Sequence, residues 1–183
     1  MHHTSKIYLI GGLPRCGKSS LSEYILIKDH MTHTSLDILQ SLLHAVDPAL
    51  GIDVDMGHEQ KVEKFTPILH MLIKTLFYYN ASSVVEGDAI VPLEAAVLRE
   101  KYSIQSLFLG DSSLTPELLR KRTGKNDWIT EKSEAELQEL TDWIVTKSLW
   151  LEKECQIYGF PYVELCTMSE EELEKARMKL IRG

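Results

Sequence analysis

The run Gly12-Leu13-Pro14-Arg15-Cys16-Gly17-Lys18-Ser19 has the spacing G-x-x-x-x-G-K-[ST], and that spacing suits a phosphate cradle. Glycines let the backbone curl until successive N–H groups point inward at anionic oxygens. A helix beginning at Gly17-Lys18-Ser19 aims its positive end at the same anion. Lys18 is then placed to reach the β/γ-phosphates of a nucleotide, and the Ser19 hydroxyl to coordinate Mg²⁺. Gly12, Leu13, Pro14, Arg15, Cys16, Gly17, Lys18, Ser19 and Ser20 are the candidate nucleotide contacts. A chance glycine-rich turn is the competing reading, and the strand and helix expected on either side argue against it. Cys16 near a helix N-terminus invites a lowered thiol pKa, but a small spacer is the commoner occupant of such a loop.

Two carboxylate positions accompany the loop. Ser35-Leu36-Asp37 closes a short second strand, and Glu86-Gly87-Asp88 follows Ser83-Val84-Val85. An acid at a strand's C-terminal end beside a phosphate loop can serve as general base or as partner of metal-bound water. Asp37, Glu86 and Asp88 are the carboxylates so placed, Asp88 the weaker candidate. The plainer alternatives are an N-cap for a helix starting at Ile38, in the case of Asp37, and a solvent-facing loop carboxylate, in the case of Glu86.

Arg120-Lys121-Arg122-Thr123-Gly124-Lys125 is a dense basic cluster in an acidic chain. Such cations can stabilise charge on a phosphoryl group, against the alternative of a solvated helix end. Arg120 and Arg122 are the candidates in this cluster. Trp128 and Trp143 read as packing residues before stacking platforms. His44, His58 and His70 lack metal-ligand spacing.

These groups need a scaffold, and the hydrophobic pattern supplies one. Ile7-Tyr8-Leu9-Ile10 reads as a strand buried on both faces, and strands follow at His33–Leu36, Ser83–Val85, Ile104–Leu109 and Tyr162–Cys166. Between them lie helical stretches. Val62, Phe65, Leu69, Leu72 and Leu76 predict one face of a long helix from Glu59 to Tyr79, kinked or restarted at Pro67. Thr115-Pro116 and Ser133–Glu136 are helix starts, Gly159 a stop, and Ser169–Glu172 a second capping box. Alternating strands and helices mean an α/β three-layer domain with a five-stranded parallel sheet, and the phosphate-loop motif after its first strand makes it a P-loop NTPase fold. The whole span 1–183 reads as one domain.

Composition bounds the rest. The 183 residues are 44% hydrophobic and 26% charged, with net charge -7, which suits a folded globular chain and argues against a nucleic-acid partner. Three scattered cysteines suggest a reducing cytoplasm. The opening residues lack the apolar stretch of a signal peptide, and no membrane-spanning run is expected. A guanine-reading Asn-Lys-x-Asp motif is absent from the sequence, which argues against a GTPase.

KIYLIGGLPRCGKSSL, SLDIL and VVEGDAIVP resemble segments of small-molecule and nucleoside-monophosphate kinases of the adenylate-kinase-like fold, and 2-phosphoglycerate kinase-like proteins in particular. The resemblance spans residues 5 to about 166, with the phosphate loop its most specific part. It implies an ATP- and Mg²⁺-dependent phosphotransferase acting on a hydroxyl of a small-molecule acceptor. Asp37 would then sit beside that acceptor as base, Glu86 would serve Mg²⁺ or the acceptor, and Asp88 would be a weaker acceptor contact. Arg120 and Arg122 would be catalytic groups in a helical lid of about residues 111–132. Gln40 stands where the family's segment often carries Arg, which weighs against a phosphorylated acceptor. The alternatives are a nucleotide kinase, an antibiotic or sugar kinase, or an ATP-binding regulatory module without phosphotransfer. Acceptor specificity is expected in Ile38–Tyr79, whose few cations favour a neutral or cationic molecule over a multiply anionic one.

Overall fold

The computed structural model describes residues 6–122 and 128–182. Its strands are β1 (Ile7–Gly12), β2 (Thr32–Ser35), β3 (Ser83–Glu86), β4 (Ile104–Gly110) and β5 (Tyr162–Glu164). They form one sheet in the order β2-β3-β1-β4-β5, with every neighbouring pair parallel. Helices α1 (Lys18–Asp29), α2 (Leu36–Val46), α3 (His58–Tyr78), α4 (Pro92–Lys101), α5 (Pro116–Lys121), α6 (Glu134–Tyr158) and α7 (Glu170–Arg182) connect and flank the strands. Helices cover both faces of the sheet, with α1 against α7, α4 against α6, and both α6 and α7 reaching β4.

Every residue of β1 and β3 is buried, which is why these strands read as unbroken apolar runs rather than alternating ones. From β1 the chain crosses to β2 on one side, and from β3 it crosses back over β1 to β4. The connections part at this point, and parallel sheets open a ligand crevice outside the strand ends at such a switch. The register decides what stands there. Ser35 and Ile10 both pair with Glu86, so these residues line up across β2, β3 and β1, two positions before Gly12.

Local signals set the helix ends. The Thr115 hydroxyl accepts from the Leu118 N–H, and Ser133 and Glu136 form a reciprocal capping box. Gly159, at φ 69°, ends α6 in the left-handed region. Three boundaries differ from expectation. The fifth strand ends at Glu164 rather than Cys166, because Glu164 turns its carboxylate to the Ser112 N–H and the Tyr162 hydroxyl. The second helix begins at Leu36 rather than Ile38, with Ser35 as its N-cap. The third runs unbroken through Pro67, and its buried row is Lys61, Phe65, Leu69 and Ile73, which shares Phe65 and Leu69 with the expected stripe but takes Lys61 in place of Val62 and Ile73 in place of Leu72.

Candidate active site

The loop between β1 and α1 is held in a shape that favours glycine. Gly12 has φ 136°, and a Cβ there would lie 2.1 Å from the Leu109 carbonyl oxygen. Gly17 has φ 94° and Arg15 φ 61°. The Leu13 N–H donates to the Leu109 carbonyl, which fixes the loop to the end of β4. Lys18 is 7% exposed, and its ammonium donates to the Leu13 carbonyl within the loop at 2.8 Å. The Ser20 hydroxyl faces Met168 Sδ.

Cys16 is buried with its thiol against the Pro14 carbonyl. Burial pushes the thiol up to about 12, against the opposing pull of Lys18. It fills space in the loop, as the spacer reading holds.

Glu86 ends β3 and is 1% exposed, so the solvent-facing alternative fails. The Ser19 hydroxyl and His33 Nε2 each stand 3.5 Å from Glu86 Oε1. The other oxygen, Oε2, is buried with no hydrogen-bond partner among the described residues. Burial opposes charge on this carboxyl, yet His33, Lys18 and Ser35 outweigh it and hold the group below its ordinary range, with Asp37 pushing the other way. Glu86 therefore senses both the loop lysine and Asp37.

Asp37 lies in the first turn of α2, not at a strand end and not at the N-cap. Its Oδ1 sits 2.7 Å from Lys61 Nζ, and the same ammonium sits 2.6 Å from Asp88 Oδ1. Lys61 is 8% exposed, whereas the Asp37 side chain is 57% exposed. Burial disfavours the ammonium, and the two carboxylates more than compensate, raising Lys61 above its ordinary value. His58 Nε2 stands 3.1 Å from the Asp88 carbonyl and presents its ring edge-on to Trp143. Asp37 and Asp88 thus share one cation that the sequence reading assigned no role. Gln40 is buried, with Nε2 donating to the Asp53 carbonyl, so it anchors the segment after α2.

The two lid arginines part company. Arg120 pairs with Glu134 at the exposed start of α6. Arg122 sits 2.6 Å from the buried Asp111 carboxylate and donates to the carbonyls of Arg15, Leu165 and Cys166. In return, Arg15 Nη1 donates to the Arg122 carbonyl and its guanidinium lies 5.6 Å from the Trp128 ring centroid. The expected residues Thr123, Gly124 and Lys125 lie outside the described residues.

A triphosphate with a divalent cation fits these residues. Positive φ at Gly12 and Gly17 shapes the loop, Ser19 supplies a hydroxyl, and among the described residues the Glu86 Oε2 is a buried acceptor without a hydrogen-bond partner. No group of three or more His, Cys, Asp or Glu gathers to hold a metal among the described residues. Magnesium sites completed by substrate phosphates and water need no such cage.

This is the P-loop NTPase fold in the form found in small-molecule kinases. A gluconokinase from Sinorhizobium meliloti 1021 superposes with TM-score 0.61 at 17% identity, covering 100% of this chain and 94% of its own. A shikimate kinase from Bacteroides thetaiotaomicron gives 0.57 at 19% identity, with 97% of each chain covered. One from Aquifex aeolicus gives 0.54 at 16%, with 96% of each covered. At these identities the likeness is one of fold. No family model matches the chain, and no curated protein matches it. The likeness carries the kinase fold and not the narrower resemblance to 2-phosphoglycerate kinase-like proteins. No helix of the described residues is long and apolar enough to cross a membrane.

Proposed function

We propose that the chain is an ATP- and Mg²⁺-dependent phosphotransferase acting on a hydroxyl of a small-molecule acceptor. The observation that carries this reading is the buried Glu86 carboxylate, with the Ser19 hydroxyl at 3.5 Å and with Ile10 and Ser35 as its register partners. The phosphate loop follows the first of these partners, and Asp37 lies two residues after the second. Bound in the cradle, Mg²⁺-ATP would supply a transferable γ-phosphoryl group and concentrated positive charge.

The chain's own residues account for the rest. The loop N–H groups and the head of α1 hold phosphate oxygens, and Lys18 exchanges its Leu13 carbonyl for them. Ser19 and Glu86 would hold a divalent cation. Asp37, exposed on one side and tied to Lys61 on the other, takes the proton of the attacking hydroxyl. Arg122, based on Asp111 and laid against the loop, contributes charge at the nucleotide, and the segment of about residues 111–132 acts as the lid. The span 1–183 works as a single kinase domain, in a cytoplasmic setting.

The test is ADP release from ATP and Mg²⁺ against sugars, polyols, nucleosides, sugar acids and aminoglycosides, with Lys18→Ala as control. Release that needs one acceptor and vanishes in the control supports a kinase. Nucleotide binding with no acceptor-dependent release across the panel favours a regulatory binding module.

A further inference from the structure

Lys61 was absorbed by no motif, yet it is the most tightly held cation on the acceptor side. It occupies the buried row of α3 in register with Phe65, Leu69 and Ile73, where an apolar residue is the ordinary occupant. A lysine buried this far needs paired carboxylates, and it has two, from elements 24 and 27 residues away in sequence, Asp37 at the start of α2 and Asp88 after β3. We propose that the Asp37–Lys61–Asp88 bridge is the acceptor-reading element and selects an uncharged polyhydroxyl molecule. This rests on the phosphotransferase reading for its location beside the phosphate loop.

The choice of class follows from how the three charges share space. An anionic acceptor would have to approach two carboxylates whose single counter-cation is already 2.6 and 2.7 Å from them. A cationic acceptor would bring a second positive charge against Asp37, whose oxygen the Lys61 ammonium already meets at 2.7 Å. A hydroxyl can donate to a carboxylate and accept from an ammonium, so adjacent hydroxyls meet both signs without adding charge. Specificity of this kind excludes wrong partners by charge as much as it attracts the right one. The exposed Asp37 carboxylate leaves an open side for a hydroxyl, while Asp88 is largely enclosed. At position 40, the side chain that would have clamped an anion is a glutamine turned to the Asp53 carbonyl.

Calorimetric titration of the full chain with myo-inositol, gluconate and glucosamine tests this without nucleotide turnover. The expected order places myo-inositol tightest. Lys61→Met should weaken it at least about tenfold, the loss of one hydrogen bond to a charged group, and Lys61→Arg should restore most of the affinity. If Lys61→Met does not fold, Asp88→Asn and the exposed-site variant Asp37→Asn carry the test. Each removes one negative charge and should shift the gluconate-to-inositol affinity ratio several-fold toward gluconate, an effect a purely structural bridge would not produce. Tighter binding of gluconate or glucosamine by the native chain overturns the proposal, as does no binding of inositol or an affinity ratio unmoved by these variants. ADP release is scored separately. Binding as expected without release would sink the kinase reading and leave this one standing.

Discussion

The Ser19 hydroxyl, at the head of α1, stands 3.5 Å from Glu86 Oε1 at the end of β3, 67 residues later in the chain. The parallel pairing of β1 with β3 makes this meeting unavoidable, since Ile10 and Glu86 are register partners and the loop begins just beyond. If the pair holds the metal, Glu86→Gln should raise the Mg²⁺ concentration for half-maximal ADP release by about ten- to a hundredfold. A Mg²⁺ titration at saturating ATP reads this. An unchanged midpoint would remove Glu86 from the metal's surroundings.

Arg120 and Arg122 should separate cleanly. Arg120 makes an exposed pair with Glu134, so Arg120→Ala should change stability by no more than about 0.5 kcal/mol. Arg122→Ala leaves the buried Asp111 carboxylate without its guanidinium and frees the loop carbonyl of Arg15. That should cost about 3 kcal/mol and raise the apparent ATP KM. Urea denaturation and nucleotide titration of both variants decide between them.

The cysteines differ in reactivity for a structural reason. Burial pushes Cys16 and Cys155 each up to about 12, while Cys166 is exposed. Iodoacetamide on the native chain near pH 8 should label Cys166 and spare the other two, since thiolate is the reactive form. Peptide mass spectrometry after brief exposure checks it. Rapid native labelling of Cys16 would mean that the loop opens far more than this packing allows.

On the opposite side of the first helix, Arg177 of α7 clamps Asp29 at the end of α1, with Nε donating at 2.7 Å to Oδ2. The guanidinium hydrogen bonds hold the Asp29 carboxyl below its ordinary 3.8, against a smaller effect of burial. A lowered carboxyl means that the unfolded chain binds the proton first as pH falls. The pair's contribution is therefore complete above about pH 4 and is lost as pH drops through the folded value. Asp29→Asn should cost about 1–2 kcal/mol at pH 7 and flatten the acid limb of a pH–stability profile. A parallel downward shift at every pH would contradict the sign.

The phosphate loop was readable because each of its residues has a local reason. Gly12 and Gly17 need positive φ, and the apolar β1 before them signals a buried parallel strand. Glu86 was readable as a strand-end acid, but not as a buried one, because burial depends on β2 covering it from a distant segment. His33 and Ser35, its neighbours, alternate on β2 and share one face, a signal available in the sequence and easily passed over beside the longer motifs. Lys61 escaped for a different reason. An apolar stripe drawn through Val62 is as regular as the row through Lys61, and only the packing of α3 shows which row faces inward. Asp111 likewise carries no motif, and its role comes from Arg122, on the far side of α5.

The most direct test of the central claim follows the phosphoryl group itself. With γ-³²P-ATP, Mg²⁺ and a saturating polyol that the chain binds, label should appear on the polyol, and Lys18→Met should slow its appearance by about a hundredfold or more. Label that stays on ATP, or leaves only as inorganic phosphate at a rate indifferent to the acceptor, would contradict phosphotransfer.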